Sequence, residues 1–202
     1  MPELARGDRD VVVLTVLALL LTGPRHTYEM HRMMIDTHKT FVTGLPRSMY
    51  HAVERLQKDK LIVVVETRRD GPGPERTVYA LTDAGRADLR ERVGKLLRTP
   101  DPDSTLFVAA LSFVGCLSTG QARDALAERS ALLRSAVDGQ TAALADVGKK
   151  INRLLLIELE YERARHVAEK DWVDGILGDL DNGTLTWPDD ITDLVVDLHA
   201  GE

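Results

Sequence analysis

Apolar positions along the chain follow helical spacing in most places and strand-like runs in one. Residues 10–22 are apolar nearly all round, which predicts a buried helix that Thr22, Gly23 and Pro24 bring to an end. A second helix is expected from about Thr27, carrying Tyr28, Met30, Met33, Met34 and Ile35 and fading over residues 37–40. Pro46 suits the first position of a third helix, where its missing N–H would have no partner anyway. Met49, Val53 and Leu56 then share one face at spacings of four and three, leaving Arg47, Ser48, His51, Arg55 and Lys58 elsewhere.

The rhythm changes at residues 61–67, Leu-Ile-Val-Val-Val-Glu-Thr, a β-branched stretch that reads as a strand. Residues 77–81 read as a second strand, and Asp70-Gly-Pro-Gly-Pro74 between them as a turn. Arg68, Arg69 and Arg76 make this hairpin basic. Thr82 is placed to cap a fourth helix running to about Arg98. Three helices, a hairpin and a helix give the order of a winged helix-turn-helix domain.

Thr99-Pro-Asp-Pro-Asp-Ser104 reads as a linker, since its two prolines oppose helix. Beyond it the pattern is almost wholly helical. A helix is expected over residues 105–116, and another opened by the capping-box spacing of Ser118 and Gln121. Leu126, Leu133, Val137, Leu144, Val147, Ile151 and Leu154 recur mostly at spacings of three and four, the seam of helices packing side by side, with Gln140 as an interruption. Gly148 is a break point within this stretch, and a last helix should reach about Leu180 before Asp-Asn-Gly183. The expected fold is therefore mainly α. A winged helix-turn-helix with a two-stranded wing occupies residues 1–98, and a helical dimerisation domain occupies residues 104–202.

Charge sharpens this division. The chain of 202 residues carries a net charge of −6, but residues 1–99 sum to +4 and residues 100–202 to −10. A surface for nucleic acid belongs in the first half, because the second would repel phosphates. The apolar run 11–21 is too short for a bilayer, which needs about 20 residues, and Asp8 and Asp10 precede it where an export signal would be positive. A single cysteine, Cys116, allows no intrachain disulfide. A cytoplasmic location without membrane contact is expected.

The first half resembles the PadR family of regulators. Leu21-Thr-Gly-Pro-Arg-His-Thr-Tyr-Glu-Met30 is similar to the family's GP(x)HGYEL pattern, and Ser48-Met-Tyr-His-Ala-Val-Glu-Arg-Leu56 to SLYPALxRL. Lys60-Leu-Ile62 resembles GLI at the start of the wing, and Arg76-Thr-Val-Tyr-Ala-Leu-Thr-Asp-Ala-Gly85 resembles RKxYxLTxxG. The matches keep the family's order across roughly residues 10–90. Thr27 replaces a usual glycine, Arg47 stands where glycine is common, and His51 replaces a usual proline. The acidic half, with Ala168-Glu-Lys-Asp-Trp172 near the end of a long helix, is similar to the C-terminal domain of longer members.

The resemblance implies a DNA-binding regulator, a repressor by expectation, acting as a homodimer on a palindromic operator. In that reading the third helix enters the major groove by its N-terminal end, where Arg47, Ser48, Tyr50 and His51 project, with Arg55 further along. Arg47 can offer a bidentate fork to guanine, worth about 1–3 kcal/mol of discrimination. Tyr50 is expected to bond a phosphate and pack its ring on the domain, as the family's tyrosine implies. Arg25, Thr27, Tyr28 and the wing arginines Arg68, Arg69 and Arg76 would add backbone contacts. Dimerisation falls to the seam from Leu126 to Leu154. The resemblance also implies a small aromatic or hydrophobic effector, for which Met34, Phe107, Phe113, Trp172 and Trp187 are the lining residues.

Catalysis and metal binding find little support. His26, His31 and His38 are five and seven apart and do not share one helix face, while Glu162, His166 and Glu169 do share a face but read as a solvated stripe. No phosphate loop or nucleophile elbow is present, so no catalytic residue, metal ligand or cofactor is assigned. The alternative reading is an interaction adaptor that keeps the winged fold without binding DNA.

Overall fold

The computed structural model describes residues 3–36, 47–68 and 76–188, with the side chains of Arg68 and Arg76 outside that description. Pro46, His38, Arg69, the turn at residues 70–74 and the tail beyond Pro188 also lie outside the described residues.

Helix α1 spans Val11–Leu21. The Asp10 carboxylate caps it by accepting the Val13 N–H at 3.0 Å, which satisfies one of the first-turn donors that a helix leaves open. Every residue from Val13 to Leu20 is buried, as an all-apolar helix requires. Thr15 is the polar exception, and its hydroxyl donates to the Val11 carbonyl at 2.7 Å. Strand β1, Arg25–His26, leads into α2, Thr27–Asp36, which places Thr27, Met30 and Met34 inward. Helix α3, Arg47–Lys58, buries Met49, Ala52, Val53 and Leu56 against α1 and α2.

Strands β2, Ile62–Arg68, and β3, Arg76–Leu81, pair antiparallel from Ile62 with Leu81 to Arg68 with Arg76, with one irregularity between Val64 and Glu66. The expected two-stranded wing gains a third member. β1 pairs antiparallel with β3, Arg25 opposite Tyr79 and His26 opposite Val78. Two residues are too few to show alternation, so no periodicity could reveal this strand.

Thr82 caps α4, Asp83–Arg98, its hydroxyl oxygen accepting the Gly85 N–H at 3.0 Å. The segment read as a linker is tied to the rest of the chain at Thr99 and Asp101. Thr99 is buried, and Asp101 pairs with Arg9 at 2.5 Å. One continuous apolar core runs from Leu4 to Leu180, so the two halves share packing rather than hang on a hinge.

The helix expected over residues 105–116 is α5, Ser104–Ser112, followed by a 3₁₀ turn over Val114–Cys116. Helix α6 spans Thr119–Val147 and opens with both halves of the capping box, Gln121 N–H to Ser118 and Ser118 N–H to the Gln121 side chain. It closes at Gly148, and a 3₁₀ turn over Arg153–Leu156 leads into α7, Ile157–Asp181. Arg123 meets Asp181, Ser130 meets Asp174 and Thr141 meets Arg163, which makes α6 and α7 an antiparallel hairpin.

The residues of the proposed dimer seam fall in three different settings. Leu126 and Leu133 are spent in the chain's own core, Val137, Leu144 and Val147 are half-buried along the hairpin, and Ile151 and Leu154 lie beyond the end of α6. The three-and-four spacing recorded an intrachain contact, because such spacing is the same whichever helix lies opposite.

Candidate nucleic-acid interface

Helix α3 has two sharply different sides. Met49, Ala52, Val53 and Leu56 point into the core, while Arg47, Tyr50, His51 and Glu54 point outward. Tyr50 is 53% exposed, a large aromatic left in water on a well-packed helix. On the neighbouring α2, Tyr28 is 72% exposed beside buried Thr27 and Met30. The α2 entry is held by Glu29, whose carboxylate accepts the His26 N–H at 2.9 Å, and by the His26 ring nitrogen Nδ1, 3.0 Å from the Thr77 carbonyl of β3.

Some of the proposed contact residues have partners within the chain. Arg55 donates through Nη2 to Asp10 at 2.5 Å, joining α3 to the cap of α1. Burial tends to raise the Asp10 carboxyl, but the Val13 N–H and the Arg55 guanidinium outweigh it and hold the group below the usual carboxylate range. Arg25 is turned onto the end of α1, donating to the Leu19 carbonyl at 3.3 Å and the Thr22 hydroxyl at 2.9 Å. There it satisfies groups a helix C-terminus leaves open. Thr27 is buried and Ser48 half-buried. His51 lies 3.6 Å from Glu54 on the same helix. Arg68 and Arg76 are backbone register partners at the far end of the β2–β3 pairing. The outward set is thus Tyr28, Arg47, Tyr50 and His51.

The residues proposed for an effector divide. Phe107 of α5 and Trp172 of α7 meet edge to face, centroids 6.0 Å apart at 87°. Trp187 is held elsewhere, its indole N–H donating to the Leu117 carbonyl at 2.8 Å. Met34 and Phe113 are core residues on α2 and at the end of α5. Cys116 is buried, and desolvation pushes its thiol up to about 12, which leaves it unreactive at neutral pH. Among the described residues no group of metal-ligating side chains is assembled, and no helix is long and apolar enough to cross a membrane.

Sequence reasoning missed Arg129. It is 1% exposed, and its guanidinium bridges α4, α5 and α7. The signal was present, since Arg129 falls three residues after Leu126 and four before Leu133, on the face that those leucines bury.

The family model described as the transcriptional regulator PadR-like family matches residues 16–91, from α1 into α4. No curated relative matches the chain. Among solved structures, the chain is similar to Bacillus subtilis PadR in complex with operator DNA, at 19% identity over 84% of this chain and 99% of that one, with a TM-score of 0.41. It is similar to the same protein in complex with p-coumaric acid, at 18% identity over 85% and 99%, with a TM-score of 0.36. It is also similar to a putative transcriptional regulator from Thermoplasma acidophilum, at 27% identity over 48% and 100%, with a TM-score of 0.35. The family's segments stand in their order on α1 to α4, and the model of the PadR-like family of transcriptional regulators matches that span, residues 16–91 of this 202-residue chain.

Proposed function

We propose that the protein is a sequence-specific repressor that binds a palindromic operator as a homodimer and is released by a small aromatic or hydrophobic compound. The observation that carries DNA binding is the two-sided α3, which keeps Arg47, Tyr50 and His51 outward while its other face is fully committed to the core. The match of residues 16–91 to the model of a regulator family supports the same reading. Arg47 and His51 then read base edges, and Tyr28 and Tyr50 hold phosphates. The wing, with Arg68, Arg69 and Arg76, follows the adjacent backbone. The division of labour falls at residues 99–103.

Two copies are needed because one winged domain covers too little DNA for a specific site. The apolar surface available for pairing lies at the closed end of the α6–α7 hairpin. Leu154 is 70% and Tyr161 67% exposed there, beside exposed Leu155 and Ile157. A patch of this kind on a regulator supports association with a second copy around a two-fold axis. For the effector, the Phe107 and Trp172 pair offers an aromatic surface shared by two helices.

The test starts from a pool of random duplexes enriched by the protein itself. Affinity for the enriched duplex should fall as salt rises, and joint substitution of Arg47→Ala and Tyr50→Phe should weaken it at least tenfold. Salt-independent binding, or an unchanged affinity in that variant, would overturn the reading. Light scattering should give twice the chain mass, reduced to the monomer by Leu154→Glu with Tyr161→Glu. Titration with p-coumaric acid as a probe should shift Trp emission and lower DNA affinity if the site accepts phenolic acids.

A further inference from the structure

Arg129 is the most deeply buried charge among the described residues, and all three of its nitrogens are used. Nη1 faces three carbonyls of the last turn of α4 and its exit, those of Leu96 at 3.1 Å, Leu97 at 3.2 Å and Thr99 at 2.9 Å. These are carbonyls that a helix end leaves without intrahelical partners. Nε and Nη2 both donate to Oε1 of Glu169 on α7, at 2.7 and 2.6 Å. The flat guanidinium lies 3.7 Å from the Phe107 ring centre, and Phe107 meets Trp172 edge on. Burial pulls the guanidinium below its ordinary value, opposed by Glu169 and Asp101, and it stays charged at any physiological pH.

We infer that Arg129 is the clamp that sets the angle between the α3-bearing half and the α6–α7 hairpin. The apolar contacts of α4 with α6, within one shared core, are non-directional and tolerate sliding. A planar fork with fixed donor directions does not. Helix α4 packs on α1 and α1 packs on α3, so the clamp passes its angle to the outward face of α3. Other ties across the same boundary are less demanding. Arg98 and Glu128 are 3.9 Å apart and exposed, and Arg90 reaches only the Cys116 carbonyl ahead of α6. Arg129 joins α4, α5, α6 and α7 at one point.

The test measures distance and does not depend on DNA binding. Cysteines at Arg32 on α2 and at Lys149 beyond the end of α6 are spin-labelled, Cys116 being buried and unreactive, and labelled chains are diluted into excess unlabelled protein. The wild-type background should give one narrow distance peak. Arg129→Met with Glu169→Leu removes both charges together, which spares the fold an unpaired buried charge, and should at least double the width of the peak at unchanged helix content. A peak of wild-type width in that folded double variant overturns the inference. If the double variant does not fold, Glu169→Gln serves in its place, since it weakens the α7 end alone. Broadening there supports the clamp, and a peak of wild-type width overturns it. Arg129→Lys, which keeps the charge but loses the fork, should broaden the peak as well, and a narrow peak there would show that charge alone sets the angle and overturn the clamp.

Discussion

Among the described glycines Gly85 sits at the closest approach, and replacing it by alanine should cost about 2–4 kcal/mol. A methyl group built there would lie 2.1 Å from the Leu61 carbonyl oxygen and 2.9 Å from Leu81 Cδ1. The leucine side chain can rotate, but the carbonyl is fixed, because it accepts the Thr82 N–H at 3.1 Å and faces the Thr82 hydroxyl at 2.9 Å. Relief requires the start of β2 and the first turn of α4 to separate by about an ångström. Overpacking of this kind costs roughly 1–3 kcal/mol, and each hydrogen bond broken adds about 1 kcal/mol. The better helix propensity of alanine returns at most about 1 kcal/mol. Urea unfolding at fixed protein concentration should show the midpoint falling by about 1–2 M at an unchanged slope of about 2 kcal/mol/M. Gly139, inside α6 with nothing near its would-be methyl group, is the control, and Gly139→Ala should stabilise by up to about 1 kcal/mol. A Gly85→Ala midpoint within error of the wild type would refute the reasoning.

Three further outcomes follow from single observations. Lys60 has a backbone φ of 59°, so Lys60→Gly should relieve about 1–2 kcal/mol of left-handed strain against about 0.5–1 kcal/mol of lost entropy, a small rise in melting temperature that Lys60→Ala does not reproduce. Arg55→Ala should cost about 0.5–1 kcal/mol. Because the Asp10 carboxyl is depressed in the fold, this contribution is present above pH 3.8 and fades as pH falls through the folded value, so the wild-type and variant stability curves should converge in acid. His166 is buried with Nδ1 3.1 Å from Gln140, and desolvation, then Arg165, holds it below its ordinary 6.5 against the pull of Glu162 and Glu169. The unfolded chain then binds the proton more readily, so stability should fall as pH drops below 6.5 and level off below the folded value. His166→Gln should flatten that dependence, and an unchanged slope would show another group to be responsible.

Most of the fold was legible because each element announces itself locally. Asp10, Thr82 and Ser118 cap the helices they precede, and Gly148 ends α6 where the glycine predicts. The resemblance rests on the same local features. Gly85 closes its last motif for a steric reason, and Lys60 takes the left-handed turn where the GLI pattern has glycine. β1 and the packed state of residues 99–103 were not legible. Their partners, β3, Arg9 and Arg129, lie far away in sequence, and nothing in a proline-rich segment says what will grip it.

The arginines show most clearly where local reading stops. Arg25, Arg47 and Arg55 look alike in sequence, three cations in a basic half that all suit DNA. Asp10 takes up Arg55 from 45 residues away, and the end of α1 takes up Arg25. Both are stabilised by groups that the fold leaves needing a donor, a cap carboxylate and helix-end carbonyls, and a phosphate would have to displace those bonds to recruit them. Arg129 is the extreme of the same rule, a cation consumed by carbonyls and a carboxylate on two other helices. The positive charge of the first half therefore overstates the charge available to a duplex. The salt dependence of DNA binding should reflect the wing rather than every arginine in residues 1–99, with each phosphate neutralised contributing about 0.9 to the slope. Removing Arg55 should leave that slope unchanged while lowering stability, whereas removing Arg47 should leave stability unchanged and relax discrimination between base pairs.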